Sequence, residues 1–294
     1  MEQTAVLVLF LAALLAFLAP APRRVLASWF DRRPALLFLA PPALTILFAA
    51  CATLAPVPSP SLILLVLVYT TAPVLCAFLQ GPADVAIPSV LDFATILLLW
   101  LPIEFSAGAN LVPRPAQGFL HGVAYGIAIL LGLVIFLAFR RVPGMKYNLP
   151  AVPRDYWLPI AAFAVLAPIL AAAGIAIGFI PFPHASSQPA GRMALTVPII
   201  LAATALPEEI LFRSLIQNLL MLRFGPGART LFAAAFIFGC AHLDNGPQPL
   251  PNWRYMILAT IAGYAYGWVF QKASTVFSSA TLHMLVDWTK HFFF

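Results

Sequence analysis

The amino-acid sequence predicts an all-α membrane protein, a polytopic helix bundle of about ten spans (8–10). Of its 294 residues, 62% are hydrophobic and only 9% are charged. Water-soluble domains are about 45–50% apolar and about 25% charged, so this chain lacks the polar surface that a fold in water needs. Its apolar runs approach the ~20 residues with which a helix crosses a bilayer, and short polar segments separate them.

The first apolar segment is TAVLVLFLAALLAFLAPAP, which begins at Thr4. We expect a retained helix with its N-terminus outside, because the preceding MEQ is acidic rather than basic and the basic stretch RRVLASWFDRR follows at once. A cleaved signal peptide is the alternative, since small residues near Ala21 are similar to a cleavage site.

The other predicted spans follow from further apolar runs, at 35–55, 61–79, 91–105, 118–139, 157–180, 194–222, 229–243, 254–271 and 274–293. The run at 91–105 is short and contains Asp92 and Glu104. We therefore expect it to be re-entrant or packed inside the bundle.

The distribution of basic residues supports this number of crossings. Ten crossings with the N-terminus outside put RRVLASWFDRR, 140–155 and 223–229 on the inner side, as the positive-inside bias requires. The loops with few basic residues then lie outside, at 56–60, 106–117, 181–193 and 244–253. We expect a multi-pass protein of the bacterial inner membrane, with membrane lipid as its surroundings.

Charge and cysteine usage exclude other classes. The formal net charge is +6, but the arginines are scattered among loops instead of lying on one face, so no nucleic-acid partner is expected. Cys51, Cys76 and Cys240 are dispersed in or beside apolar runs and give neither a disulfide framework nor a CxxC metal motif. We expect them to be small packing residues.

The basic, proline-containing loop at 140–155 divides the chain. Residues 1–150 form a membrane region of about five predicted spans to which the sequence assigns no function. Residues 151–294 contain the polar motifs and are predicted to be the functional domain.

The stretch ALPEEILFR places ionisable groups in an apolar helix, where each charge costs at least ~2.5–3.5 kcal/mol. Arg213 lies four residues after Glu209, on the same helix face, and can pair with it. Glu208 points about 100° around the helix and is left for another role. Pro207 removes a backbone donor and can open the helix locally.

Two further motifs lie on the next predicted spans. FGCAH places His242 four residues after Phe238, and HMLVD places His283 and Asp287 four residues apart on one face. Each group alone is consistent with a structural hydrogen bond or ion pair. Together they put acids and imidazoles on three consecutive spans, at depths that antiparallel helices can bring together, which favours a shared site.

These motifs resemble a known family. EEILFR, FGCAH and HMLVD are similar to the EExxxR, FxxxH and HxxxN or HxxxD motifs of the CAAX protease and bacteriocin-processing family of intramembrane proteases, and the resemblance covers about residues 194–290. It implies an all-helical bundle with a polar cavity and hydrolysis of a peptide bond in a membrane-associated protein or peptide.

The resemblance also implies roles for individual residues. Glu208 activates water, which His242 helps to hold. Glu209 pairs with Arg213 and supports the site, and Phe238 belongs to the same support. His283 and position 287 stabilise the oxyanion, but an ionised Asp287 cannot donate as the amide of relatives can. It could instead orient His283, stay protonated, or join a metal shell.

Two questions stay open at this stage. No cofactor is certain, and a zinc ion held by Glu208, His242 and His283 is the alternative to a metal-independent Glu/His mechanism. An ion-coupled or proton-coupled transporter and a non-catalytic immunity or scaffold protein are the alternative functions.

Overall fold

The computed structural model describes residues 2–54, 60–104, 117–245 and 250–294. Within these ranges the protein is helical and contains no strand. The chain divides into two compact units, Met1–Met145 and Lys146–Phe294. The predicted all-α class is therefore confirmed, whereas parts of the predicted loops at 56–60, 106–117 and 244–253 lie outside the described residues.

The first unit contains six labelled helices and a connecting 3₁₀ helix, Pro34–Leu39. They are α1 (Glu2–Ala16), α2 (Pro20–Arg32), α3 (Ala40–Ala52), α4 (Pro60–Phe78), α5 (Val90–Glu104) and α6 (Gln117–Leu133), which continues as a π-helical stretch, Val134–Phe139. The basic stretch after the first apolar segment is thus helical, where a loop was expected. Its apolar residues Leu26, Trp29 and Phe30 recur at helical spacing, and Phe30 packs edge-on against Phe139 with the ring centroids 5.4 Å apart.

A buried ion pair joins three elements of the first unit. Arg140 donates from Nε to Asp92 Oδ1 over 3.0 Å and from Nη1 to the carbonyl oxygen of Gly81 over 2.9 Å. Asp92 is 0% exposed and Arg140 is 6% exposed. Asp92 also accepts from the backbone N–H of Ser89, 2.8 Å away, which fixes the start of α5. Asp92 is therefore a structural residue. Towards the end of α5, the indole N–H of Trp100 donates to the carboxylate of Glu104, four residues later.

The second unit contains the helices of the polar motifs. They are α7 (Arg154–Ala176), α8 (Ala190–Phe224), α9 (Ala228–Cys240), α10 (Trp253–Lys272) and α11 (Val276–Phe293). At Gly239, α9 approaches α10 so closely that an added Cβ would lie 2.0 Å from Thr260 Oγ1 and 2.7 Å from the carbonyl oxygen of Met256. Only glycine fits there, and this contact positions the end of α9.

The turn between α10 and α11 is held by the loop that precedes α7. The Lys146 ammonium group donates to the carbonyl oxygens of Phe270 and Ala273, at 2.7 and 2.8 Å, which satisfies acceptors that a helix end leaves open. Burial lowers the pKa of Lys146, partly opposed by the charge of Asp155. Asp155 accepts from the backbone N–H of Ser274 over 2.8 Å, and α11 begins immediately afterwards.

Five helices among the described residues are long and apolar enough to cross a membrane: Pro34–Ala52, Pro60–Phe78, Gly118–Phe139, Arg154–Ala176 and Ala190–Phe224. The pair α1 and α2 passes the same test together but is bent by 77°. The prediction of about ten spans is thus not confirmed. The α5 and α9 helices have only 15 and 13 residues, and polar side chains lower the hydropathy of α10 and α11. The length and composition of the apolar helices make this an integral membrane protein.

Candidate active site

The first motif lies near the middle of α8, where the helix changes its winding. The turn Leu206–Glu209 is α-helical, and π-helical stretches flank it at Leu201–Ala205 and Ile210–Gln217. Pro198 and Pro207 each lack the backbone N–H that an α-helix uses, which accounts for an interrupted hydrogen-bond ladder here. Wide π-helical turns are frequent at functional sites.

Glu209 bridges two elements of the site. It is 0% exposed, and its Oε2 accepts from Arg213 Nε over 3.1 Å. Its Oε1 lies 3.2 Å from Nδ1 of His283 on α11. Both carboxylate oxygens therefore have partners, and one of them connects α8 to α11. The Glu209–Arg213 contact has the i, i+4 geometry that the motif predicts.

Arg213 is also fully buried and is held on several sides. Its guanidinium lies over the ring of Phe238 at 4.9 Å and over that of Tyr266 at 5.9 Å. Its Nη1 donates to Gln217 Oε1 over 3.4 Å, and Gln217 in turn donates to the carbonyl oxygen of Gly267 over 3.0 Å. This chain of contacts ties α8 to α9 and α10 and keeps the Glu209 carboxylate in place.

Three carboxylates surround the imidazole of His283. Its Nδ1 faces Glu209, and its Nε2 lies 3.4 Å from Asp287 Oδ2 and 3.9 Å from Glu208 Oε2. The ring stacks on Tyr266, with centroids 4.7 Å apart and planes 22° apart. The ring plane and both nitrogens of His283 are thus fixed by neighbours on three helices.

The two adjacent glutamates differ in their access to solvent. The side chain of Glu208 is 25% exposed, whereas that of Glu209 is 0% exposed. Glu208 is thus the more accessible of the two carboxylates and lies on the Nε2 side of His283. The two side chains point about 100° apart on the helix, which accounts for their different access to solvent.

His242 lies in the turn that follows α9 and is only 7% exposed. Its Nδ1 lies 2.9 Å from the carbonyl oxygen of Phe238. A carbonyl oxygen only accepts, so Nδ1 carries the proton and, in the neutral ring, Nε2 is left as an acceptor. The ring of Phe238 lies 4.8 Å from that of His242 and 5.7 Å from that of His283, and separates the two imidazoles.

A cavity adjoins these groups. Its volume is about 90 Å³, enough for a few water molecules in a polar site. Its walls are mostly apolar, and the polar side chains in its lining are His242, Tyr255, Tyr266, His283, Asp287, Thr289 and Lys290. A cleft of about 510 Å³ shares Tyr255, Asp287 and Lys290 with it. Glu208 lines neither space and reaches this region through its approach to His283.

The alternative zinc mechanism would need Glu208, His242 and His283 to gather around one ion. Within the ranges that the structure describes, no three His, Cys, Asp or Glu side chains are arranged to hold a metal ion. His283 turns both nitrogens towards carboxylates. Nδ1 of His242 donates to a backbone carbonyl, which leaves its Nε2 open, as in many metal-binding histidines. In this conformation, Glu208, His242 and His283 do not fit a shared ion.

Sequence reasoning missed three residues of the site. Lys290 follows Asp287 by three positions on the same face of α11, a spacing that could have identified it; its ammonium lies 4.3 Å from the ring centroid of Tyr255. Tyr266 lies between Gly263 and Gly267, at two close approaches of α10. Tyr255 carries no such signal, because its role depends on how α10 packs against α9 and α11.

Comparison with known proteins agrees with the motifs. Residues 190–289, which run from α8 to α11 and include all three motifs, match the family described as Rce1-like, type II CAAX prenyl endopeptidase. The predicted family resemblance is thereby confirmed. No curated protein and no solved structure matches the chain significantly. The matched family is a family of proteases. The similarity to it is confined to residues 190–289 of this integral membrane protein.

Proposed function

We propose that this protein is an intramembrane endopeptidase that hydrolyses a peptide bond in a membrane-associated protein or peptide. The observation that carries the proposal is the arrangement around His283: carboxylates from α8 and α11 face its two nitrogens, and His242 lies beside the same cavity. Amide hydrolysis needs an activated water and a donor aimed at the developing oxyanion, and these groups can supply both.

In this proposal Glu208 is the general base. It is the more accessible of the two glutamates, and it takes a proton from water as the water oxygen bonds to the scissile carbonyl carbon. His242 presents an unprotonated Nε2 and accepts the other hydrogen bond of that water. The proton held by Glu208 then passes to the leaving nitrogen as the C–N bond breaks, which balances the reaction.

His283 is the proposed oxyanion donor. Its Nε2 turns from Asp287, 3.4 Å away, to the carbonyl oxygen as negative charge develops there. An ionised Asp287 cannot donate to an oxyanion, and its place beside His283 favours an orienting role over direct donation. Glu209 holds the opposite nitrogen, and Arg213 compensates the charge of Glu209 within the bundle.

We extend the proposal to the whole chain as follows. Residues 151–294 form the catalytic membrane domain and residues 1–150 an additional membrane region of about five spans. The short helices α5 and α9 and the polar helices α10 and α11 also cross the bilayer, and together with up to six apolar spans they give about ten crossings in all. The basic loop 140–155 lies on the inner side, and we place the protein in the bacterial inner membrane.

The test is cleavage of a membrane-anchored reporter peptide by the purified full chain in micelles. Glu208→Gln keeps the shape of the side chain but removes the base, and we expect a loss of at least about 10²-fold in rate. Glu104→Gln is the matched control, because it makes the same change in a membrane helix outside the site, and it should leave the rate unchanged.

Wild-type cleavage by the Glu208 variant would reject the assigned base. Absence of any cleavage by the wild-type chain, together with pH-driven solute uptake into vesicles that depends on Glu208, would favour a transporter. If Glu208→Gln, which keeps the shape of the side chain but not its charge, still supports complementation in cells, the site serves a scaffold or immunity role instead.

A further inference from the structure

The first unit presents a basic, amphipathic surface that the proposed protease activity does not use. We call it the α2 surface and define it by helix α2, Arg33 and the 3₁₀ helix Pro34–Leu39. The chain bends by 77° between α1 and α2. A helix that turns so sharply from an apolar neighbour and carries both arginines and aromatic side chains has the composition of a helix that lies in the membrane interface.

The arginines of the α2 surface fall into two groups. Arg23 folds back and donates to the carbonyl oxygens of Phe17 and Leu18 at the end of α1. Arg24, Arg32 and Arg33 are exposed, and no ion pair joins them to a carboxylate in the described part of the chain. These three cations are available to an external anion.

The acidic residue of α2 does not cancel this charge. Asp31 is engaged by Arg141, whose Nη1 lies 2.8 Å from Asp31 Oδ1. Arg141 also contacts Asp84 through Nε over 2.7 Å. The carboxylate of Asp31 thus already has a cationic partner, and the surface keeps a local excess of positive charge.

An apolar groove lies along α2, and Arg32 and Arg33 follow its lining residue Trp29 by three and four positions, at the end of the same helix. The volume of the groove is about 490 Å³, and apolar side chains alone line it, among them Leu26, Trp29, Leu37 and Leu39. Trp29 is 52% exposed and Leu39 is 62% exposed, so the groove is accessible from outside the unit. Phe30 and Leu37, at 5% and 1% exposure, form its floor and fix its shape.

We propose that the α2 surface binds one anionic phospholipid, with the phosphate on Arg32 or Arg33, an acyl chain in the groove, and Arg24 adding to the local positive potential. Guanidinium groups match phosphate oxygens with two parallel hydrogen bonds, and the groove supplies the apolar contact that a soluble phosphate ion could not use. The inner leaflet, where the basic loops are expected, carries the anionic lipids. Trp29 has the amphipathic ring that favours the headgroup level.

Charge distinguishes this occupant from a second copy of the chain. An apolar segment of a second copy could cover the groove, but it would leave three exposed cations beside the contact. A single phospholipid supplies both an anion for the basic side of this surface and an acyl chain for the groove. The proposal does not depend on the catalytic assignment, because all of its residues lie in the first unit.

The experiment uses the purified full chain in zwitterionic micelles. Phosphatidylglycerol and phosphatidylcholine with the same brominated acyl chains are titrated in separate runs, and quenching of tryptophan fluorescence is recorded. Trp29→Phe identifies the part of the signal that comes from the α2 surface. We expect saturable quenching of that part by phosphatidylglycerol and at least tenfold weaker quenching by phosphatidylcholine.

Two sets of variants test the two halves of the site. Replacing Arg24, Arg32 and Arg33 with Gln should weaken phosphatidylglycerol binding by on the order of 100-fold, since each basic residue near an anionic surface contributes about fivefold. The matched control replaces three exposed basic residues elsewhere, Arg223, Arg229 and Lys272, and should keep wild-type affinity. Ala40→Leu fills the groove without touching the charges and should also weaken binding.

Each outcome decides the proposal. Equal quenching by the two lipids, an unchanged affinity of the triple arginine variant, or quenching that persists in full in Trp29→Phe would overturn it. A dimer in sedimentation analysis would also overturn it if Ala40→Leu dissociates that dimer whether or not lipid is added. The groove would then be covered by a second copy of the chain. Helix content measured by circular dichroism confirms that each variant is folded.

Discussion

The Glu209–Arg213 pair offers a quantitative test of how the site is held. Both side chains are 0% exposed, so Arg213→Met leaves Glu209 as a buried carboxylate without its cation. Breaking a buried pair on one side costs about 3–5 kcal/mol, a large share of the ~5–15 kcal/mol that stabilise a typical domain. Glu209→Gln should cost a similar amount, because it leaves the Arg213 guanidinium uncompensated.

The double variant separates stability from catalysis. Removing both charges relieves the unpaired ion, so we expect the double variant to be more stable than either single variant, with a coupling energy of at least about 2 kcal/mol. Cleavage should remain about 10²-fold below wild type, because His283 has lost the carboxylate that faces its Nδ1.

The assay unfolds the protein in mixed micelles by titration with sodium dodecyl sulfate. Loss of helix is monitored by circular dichroism, and reporter cleavage is measured on the same samples. Single-variant costs below about 1 kcal/mol, or costs that add in the double variant, would refute the claim that the pair is a coupled buried unit. Recovery of cleavage along with stability would refute the orienting role of Glu209.

Three further outcomes are expected. Gly239→Ala should destabilise the protein by about 1–3 kcal/mol, because the added Cβ meets a backbone carbonyl 2.7 Å away; Gly191→Ala, which has nothing within 4 Å, is the control in the same unfolding assay. Asp92→Asn should cost about 3–5 kcal/mol by leaving Arg140 buried without its carboxylate, whereas the exposed Asp84→Asn should change little; equal unfolding midpoints would contradict this. A zinc chelator should leave the cleavage rate unchanged, and loss of activity that added zinc restores would contradict the metal-independent mechanism.

Local helix geometry explains what the sequence could predict. The Glu209–Arg213 and His283–Asp287 contacts follow from an i, i+4 spacing, and the structure has both at close range. The unequal access of Glu208 and Glu209 follows from the same geometry. The first and third motifs lie on helices as the sequence predicts, whereas His242 of the second motif lies in the turn that follows α9.

Packing between helices explains what the sequence could not predict. The stacking of Tyr266 on His283 and the contact of Glu209 with His283 Nδ1 join residues that are far apart in sequence, and no periodicity encodes them. The helical state of α2 was missed because basic residues next to an apolar segment are equally typical of a loop and of an interfacial helix. The number of spans depends on whether polar helices such as α11 are counted, which hydropathy alone does not decide.

The most direct test of the catalytic claim compares Glu208→Gln and His242→Gln with the double variant under single-turnover conditions. If both residues act on one water, each single change removes most of the catalysis, and the double variant should cleave within about threefold of the slower single variant. Rate losses that multiply, or full activity in either single variant, would mean that the two residues do not share that water.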